Sequence, residues 1–275
     1  MEAPSPHGAH DMSDTPLLVL DDGPVRVLTL NRPKARNTLT VEMMSALEAA
    51  FADIARTPAV RCVLIRAEGP GFCAGHDLKE MQAHRNDADR GRAFFTGLFT
   101  QCTRLMGLVR SCDKPVIAEV QGIATAAGCQ LVATCDIAVA SAEARFGVNG
   151  IDVGFFCSTP AVALARNIDR KKAMELLLTG RMMSAQEARE AGLVNHVTEP
   201  ADLASTAMGL ATTIAGKSTA VTALGKKAFY EQVQMPLDKA YELASQAMVE
   251  NLLLSDAEEG FSAFIDKRPP EWRDE

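Results

Sequence analysis

The chain has 275 residues, of which 47% are apolar and 23% charged, and its formal net charge is −7. This length and composition are sufficient for a large packed core. The acidic balance argues against a nucleic-acid-binding surface, which would be basic, so local Lys and Arg side chains would have to bind any anionic ligand.

Cysteine and histidine usage bears on the compartment and on metal binding. Seven cysteines and five histidines are scattered, with no paired cysteine spacing and no metal-ligand spacing. This pattern predicts reduced thiols, no disulfide framework and no metal site. Residues 1–15 are polar, acidic and contain proline, which predicts a disordered tail without the features of a secretory signal or transit peptide. With no apolar run of membrane-spanning length, these features predict a cytoplasmic protein with no membrane partner.

The first 199 residues alternate between strand and helix patterns. The sequence predicts a β-hairpin formed by residues 17–20 and 25–30. Buried strands are predicted at 60–67, 116–120 and 137–140, and helices at 40–56, at 92–109 and from 127 onward. Strand and helix signals in this order predict an α/β core over residues 16–199.

Helix signals dominate the later part of the chain. Asp169 is a predicted N-cap, Gly180 a predicted helix end, and Ser184 with Glu187 a capping box. Further helices are predicted at 202–215, 219–230, 236–254 and 256–265. We therefore expect a helical region over residues 200–275 that buries its apolar faces against neighbouring subunits.

Two segments combine a strand end, a loop of small residues and a helix start. They are residues 72–81, FCAGHDLKEM, and residues 114–131, KPVIAEVQGIATAAGCQL. Small residues let a ligand approach the backbone, and a helix start leaves N–H groups without intrahelical partners. Two such donors that converge on one point would form an oxyanion hole. Either loop alone is more often a tight connection between a strand and a helix.

Several motifs occur together in a fixed order. They lie at residues 31–37, 74–79, 114–137, 178–180, 184–188, 191–194 and 264–268. In this order the chain, over residues 17–268, resembles the crotonase (enoyl-CoA hydratase/isomerase) superfamily. Residues 124–130 and 156–160 are similar to the subgroup of enoyl-CoA hydratase domain-containing protein 3.

The resemblance implies a spiral of repeated ββα units with a C-terminal helical trimerisation region, and trimers that often pair into hexamers. It implies an acyl-CoA thioester as substrate, with coenzyme A as part of that substrate and no separate cofactor. The backbone N–H groups of His76 and Ala127 would polarise the thioester carbonyl. The resemblance also implies that the following residues bind coenzyme A: Lys34, Ala35, Arg36, Ala74, Asp77, Leu78, Lys79, Phe264 and Lys267.

The chain departs from the family at the acid/base positions. Gln130 and Gly150 stand where hydratases of the family carry two glutamates, and Ser158 stands at a third carboxylate position of some members. Glutamine exchanges no proton near neutral pH and glycine has no side chain. Gln130 would be left to orient a water molecule by hydrogen bonding.

Other residues near these segments are weaker candidates for proton transfer or nucleophilic catalysis. Each has a more common structural role, as a backbone donor, a strand or cap residue, or a small core residue: His76, Glu119, Asp152, Cys157, Ser158 and Thr159. Three functions remain open. The first is an enoyl-CoA hydratase or isomerase, the second a decarboxylase or thioesterase that needs mainly enolate stabilisation, and the third a non-catalytic acyl-CoA-binding protein.

Overall fold

The structure is a computed structural model that describes residues 15–275. The predicted N-terminal tail lies outside the described residues except for Thr15. In chain order the elements are β1 (Leu17–Asp22), β2 (Val25–Leu30), α1 (Val41–Ile54), β3 (Cys62–Ala67), β4 (Gly71–Cys73), α2 (Leu78–Ala83), α3 (Arg92–Ser111), β5 (Val116–Val120), β6 (Ile123–Thr125), α4 (Ala127–Thr134), β7 (Ile137–Ser141), β8 (Arg145–Gly147), α5 (Ser158–Leu164), α6 (Arg170–Thr179), β9 (Met183–Ser184), α7 (Ala185–Glu190), β10 (His196–Thr198), α8 (Leu203–Ala215), α9 (Thr219–Gln232), α10 (Leu237–Leu252) and α11 (Ser255–Asp266).

The strands form two sheets. The larger sheet has six strands in the order β1-β2-β3-β5-β7-β10, and the smaller has four in the order β4-β6-β8-β9. Three successive strand pairs, β3/β4, β5/β6 and β7/β8, each contribute their first strand to the larger sheet and their second to the smaller one. A helix follows each pair, so the predicted spiral of strand–strand–helix units is confirmed.

The larger sheet is covered on both faces. Leu28 and Leu30 of β2 pack into the main core, whereas Val25 and Val27 face α8. All six residues of β2 are buried, as expected for a strand covered on both faces, although Arg26 and Thr29 interrupt its apolar sequence. Helix α8 covers its face with alanines, among them Ala207, so the first helix of the predicted oligomerisation region packs on the core of its own chain.

Most helix boundaries follow the sequence signals. The Ser184 side chain accepts from the Glu187 N–H and the Glu187 side chain accepts from the Ser184 N–H, which confirms the capping box. Gly180 ends α6 with a φ of +67°, as predicted. Asp169 occupies the N-cap position of α6, but its side chain makes no capping hydrogen bond.

Helix α9 is tied to the core through a partly buried carboxylate. Asp136 accepts hydrogen bonds from Lys226 Nζ at 2.7 Å, from the Tyr230 hydroxyl at 2.8 Å and from the Val116 N–H at 2.7 Å. Helices α9 to α11 also carry many apolar side chains that are open to solvent. Four of its side chains are more than 70% exposed: Leu237, Leu253, Phe264 and Ile265.

Candidate active site

Three segments meet beside the smaller sheet. The Leu39 N–H donates to the Gly75 carbonyl at 2.8 Å, and the Ala74 N–H donates to the Arg36 carbonyl at 3.0 Å. The buried Asn37 amide fixes the first segment, because its Nδ2 donates to the carbonyls of Glu68 and Gly71 at 2.9 and 2.8 Å. The turn around residue 36 is therefore attached to the loop that contains Gly75.

The same loop lies against the start of α4. Gly75 has a φ of +88°, and a Cβ added to it would lie 2.9 Å from Ala126 Cβ and 3.3 Å from the Ala127 nitrogen. Only glycine fits this close approach with this backbone conformation. Ala126 itself adopts a φ of +50° and donates its N–H to the Gly147 carbonyl at 2.9 Å. The two loops expected to supply oxyanion donors are therefore neighbours.

A cavity of about 150 Å³ opens where these loops meet. Its apolar wall consists of Leu78, Met81, Phe99, Val153, Phe155 and Pro160, and its backbone wall of Ala74, Ala126, Ala127 and Gly150. The polar or thiol side chains that line it are His76, Thr125, Asn149, Cys157 and Thr159. Within residues 15–275 no Asp, Glu, Lys or Arg lines this cavity. A larger cavity of about 450 Å³ lies between α3 and α9, away from the predicted loops.

The His76 ring forms part of the cavity wall. Its Nδ1 lies 3.2 Å from the Leu39 carbonyl, its Nε2 is buried without a partner, and its ring meets Phe99 edge to face. Burial lowers the pKa of His76, and the hydrogen bond to Leu39 only partly opposes that shift. The imidazole is therefore neutral at pH 7, with a proton on Nδ1.

Aromatic rings close one end of the cavity. The rings of Phe99 and Phe155 stack with centroids 5.8 Å apart, and Leu98, next to Phe99, points into the core instead. An engineered cavity of about the same volume holds one benzene molecule. The space inside therefore suits a short acyl group.

Position 150, where the family resemblance leads us to expect a glutamate, has no space for a side chain. A Cβ on Gly150 would lie 2.3 Å from the Phe155 carbonyl oxygen and 2.8 Å from Cys157 Sγ. The Phe155 N–H also donates to the Gly150 carbonyl at 2.9 Å, which holds this loop in place. A side chain larger than hydrogen at position 150 would therefore require this loop to move.

Other acid/base candidates lie elsewhere. Gln130 is buried inside α4, its Oε1 has no partner, and its side chain does not line the cavity. Glu119 lies on the face of β5 that carries Ile117 and packs toward α8, and Asp152 lies beside Gly180 on the surface. Burial raises the pKa of the Cys157 thiol, so this cavity-lining group is un-ionised at neutral pH.

The residues expected to bind coenzyme A fall into two groups. Lys34, Arg36 and Lys79 are exposed near the cavity loops, with Ala35 half-buried between the first two. Asp77 Oδ1 accepts from the N–H groups of Lys79 and Glu80, so this carboxylate caps α2. Partial burial opposes it, but these N–H donors hold the pKa of Asp77 below its usual value. Phe264 and Lys267, at the end of α11, do not line the cavity.

Two polar side chains of the cavity, Thr125 and Asn149, were given no role by the sequence reasoning. The Thr125 hydroxyl donates to Asn149 Oδ1 across the cavity wall. Asn149 precedes Gly150, and only the absent glutamate drew attention to that turn. An Asn next to a Gly reads as a turn, so the signal was present but pointed to backbone geometry.

Two negative findings apply to residues 15–275. In this part of the chain, no group of three or more His, Cys, Asp or Glu side chains is placed to hold a metal ion. Among the same residues, no helix is long and apolar enough to cross a membrane.

Comparison with known proteins identifies the family. The family described as enoyl-CoA hydratase/isomerase matches residues 22–275. This chain belongs to that family, which is the crotonase superfamily of the sequence resemblance.

The similar relatives include enoyl-CoA hydratase domain-containing protein 3, mitochondrial, from Rattus norvegicus. It is 47% identical over 248 residues, which cover 90% of this chain and 81% of the relative. The crystal structure of the human protein of that name is 45% identical with a TM-score of 0.89, and covers 94% of this chain and 100% of its own. An enoyl-CoA hydratase structure from Mycobacterium smegmatis is 48% identical with a TM-score of 0.89, and covers 94% and 98%. The predicted superfamily and subgroup are confirmed.

The predicted cytoplasmic location is wrong. The rat, mouse and human relatives are mitochondrial by name. Reduced cysteines fit any compartment that keeps thiols reduced, so composition could not separate the cytosol from an organelle of that kind.

Proposed function

We propose that the chain is an acyl-CoA enzyme that holds a thioester carbonyl with the backbone N–H groups of His76 and Ala127. The close approach of Gly75 to the Ala127 nitrogen carries this proposal. Two donors at this point would stabilise the negative charge of an enolate oxygen. Ala127 is the first residue of α4, where the helix dipole also favours negative charge.

The first candidate reaction is hydration or isomerisation of an enoyl-CoA. It is supported by the family and by relatives such as the Rhizobium meliloti protein named probable enoyl-CoA hydratase, which is 34% identical. In this reaction the oxyanion donors stabilise the enolate, while proton transfer falls to groups other than the two family glutamates. Coenzyme A would be gripped at the exposed surface around Lys34, Arg36 and Lys79, and the acyl group would enter the cavity.

The second candidate is decarboxylation of a malonyl-type thioester. It is favoured by a cavity that no carboxylate side chain lines within residues 15–275. Decarboxylation releases CO₂ and leaves an enolate, so it depends on the oxyanion donors and does not need a general base to begin. The enolate carbon then takes a proton from solvent.

The experiment supplies crotonyl-CoA and malonyl-CoA separately and identifies the products by mass. His76→Pro, which removes one oxyanion donor, is the control, and its melting temperature shows whether it folds. Turnover of either thioester that the folded His76→Pro variant loses by about 100-fold supports the proposal and selects the reaction.

A binding comparison keeps the proposal testable if the proline variant unfolds. Butyryl-CoA is compared with its thioether analogue, which lacks the carbonyl oxygen. Weaker binding of the thioether to the unmodified protein supports the oxyanion donors. Equal binding of the two ligands, together with no turnover of any thioester, would overturn the proposal.

A further inference from the structure

The Asn149 amide has one hydrogen-bonding end fixed and the other end free. Its Oδ1 accepts from the Thr125 hydroxyl, which sets the orientation of the amide plane. No partner for its Nδ2 is found among residues 15–275, and this atom is not shut off from solvent as His76 Nε2 is. The side chain lines the same cavity as Ala127. The Nδ2 group is therefore a donor without a partner among residues 15–275, on a side chain that lines the cavity.

This donor stands in a predominantly apolar setting. Leu78, Phe99 and Phe155 also line this cavity, and the imidazole of His76 in its wall is hydrogen-bonded to the Leu39 carbonyl through Nδ1. A plain alkyl chain that displaced water from this cavity would leave the Asn149 N–H groups without an acceptor. An unpaired polar group in such a place weakens binding, whereas a ligand oxygen would restore the hydrogen bond.

We infer that Asn149 selects acyl-CoA thioesters whose acyl group carries an oxygen acceptor close to the thioester carbonyl. The inference rests on the proposed function, because it takes the carbonyl to lie at the backbone donors of His76 and Ala127. The cavity has a volume of about 150 Å³. In so small a space, a ligand oxygen that accepts from Asn149 can be only a few bonds away from the thioester carbonyl. A ketone or a carboxylate on the third carbon meets this requirement, and Thr125 acts as the positioning residue for Asn149.

The test measures dissociation constants of three CoA thioesters by calorimetry. Butyryl-CoA and acetoacetyl-CoA have equal carbon numbers and differ in the oxygen on the third carbon, and malonyl-CoA supplies a carboxylate instead. We expect the unmodified protein to bind at least one oxygen-bearing thioester about 3- to 10-fold more tightly than butyryl-CoA. Which one it prefers tells the ketone from the carboxylate.

Two substitutions of Asn149 distinguish the effect of its N–H donor from the effect of its size. The preference is the dissociation constant of butyryl-CoA divided by that of the oxygen-bearing thioester. Asn149→Leu should bring this ratio close to one, while affinity for butyryl-CoA is kept or improved. Asn149→Asp presents an acceptor where the donor was, so the preference should fall below one, most strongly for malonyl-CoA. Thr125→Val should reduce the preference less than Asn149→Leu does. Asn86→Asp, an equal charge change at an exposed site, should leave it as in the unmodified protein.

The outcomes for the two proposals are distinct. No preference in the unmodified protein, or an unchanged preference in folded Asn149→Leu, would overturn the role of Asn149 while butyryl-CoA still binds. Equal binding of butyryl-CoA and its thioether analogue, with no turnover of any thioester, would instead overturn the proposed function itself.

Discussion

At residue scale, the surroundings of Gly150 leave no space for the glutamate side chain that the family resemblance leads us to expect there. The loop around Phe155 and Cys157 occupies the space that a side chain at position 150 would need. Gly150→Glu therefore forces this loop outward instead of restoring a carboxylate to the cavity. We expect the variant to lose about 1–3 kcal/mol of unfolding free energy in urea and to gain no hydration activity.

The matched control for this change is Gly97→Glu on α3. A Cβ at Gly97 meets nothing within 4 Å, so the same substitution should be neutral or stabilise the helix. A Gly150→Glu protein as stable as the unmodified one would show that the loop moves freely. In that case lack of space would not explain why position 150 carries no glutamate.

Because Glu119 is buried, we expect that removing its charge stabilises the protein by an amount that depends on pH. Burial raises the pKa of Glu119, while the charge of Arg66 opposes the shift, and Oε2 has no hydrogen-bond partner. A raised folded-state pKa means that the protonated form suits the fold. Its stabilisation is present below the unfolded pKa of about 4.3 and is lost as the pH rises through the folded value.

Glu119→Gln removes the charge at every pH. We expect urea unfolding to show a gain on the order of 1 kcal/mol at pH 7.5 that shrinks toward pH 4.5. Glu143→Gln, at an exposed position, should show no such trend. A gain for Glu119→Gln that is the same at both pH values would rule out titration of Glu119 as its cause.

At the scale of elements, a largely buried ion pair contributes to the attachment of α9 to the core. Lys226 Nζ and Asp136 Oδ2 are 2.7 Å apart and largely buried, and the Tyr230 hydroxyl shares the carboxylate. Lys226→Met leaves a buried charge without its partner, which costs about 2–4 kcal/mol of unfolding free energy. The neighbouring exposed Lys227→Met should cost less than about 0.5 kcal/mol. Equal losses for the two variants would mean that the pair does not hold α9.

Long elements could be predicted from the sequence, and short ones could not. Strand β5 at Val116–Val120 and the helices beyond residue 200 were predicted to within two residues, because apolar periodicity accumulates over their length. Strands β4, β6 and β8 have three residues each, and residues 121–126 were taken to be a loop. Three residues are too few to show an alternation, and β6 is recognised as a strand through its pairing with β4 and β8.

Part of the candidate site could be predicted from the sequence, and part could not. The loops that carry His76 and Ala127 have glycines and helix starts that are visible in the sequence, and both residues line the same cavity. The Asn149 amide was missed because its importance depends on the Thr125 hydroxyl across the wall. A contact between residues this far apart in the sequence leaves no pattern in a single sequence.

At the scale of the whole molecule, the helices after residue 218 present an apolar surface that one chain cannot bury. Leu253, Phe264 and Ile265 are each at least 75% exposed, next to other exposed apolar side chains of α9 to α11. Contiguous apolar area of this kind is typical of subunit interfaces. We therefore propose that the chain assembles into a trimer or a pair of trimers, in which Phe264 and Lys267 come to lie near a neighbouring subunit's cavity.

Light scattering behind size-exclusion chromatography tests the assembly. At micromolar concentration the measured mass should be three or six times the chain mass of 29.4 kDa. A Leu253→Glu, Ile265→Glu double variant places two charges in the surface that would be buried, and such charges cost several kcal/mol each without partners. It should shift the mass toward one chain, while Gln186→Glu with Thr212→Glu, which adds equal charge at exposed polar positions, should not. An unmodified protein that remains monomeric at this concentration would leave the apolar surface without this explanation and would remove the neighbouring-subunit role of Phe264 and Lys267.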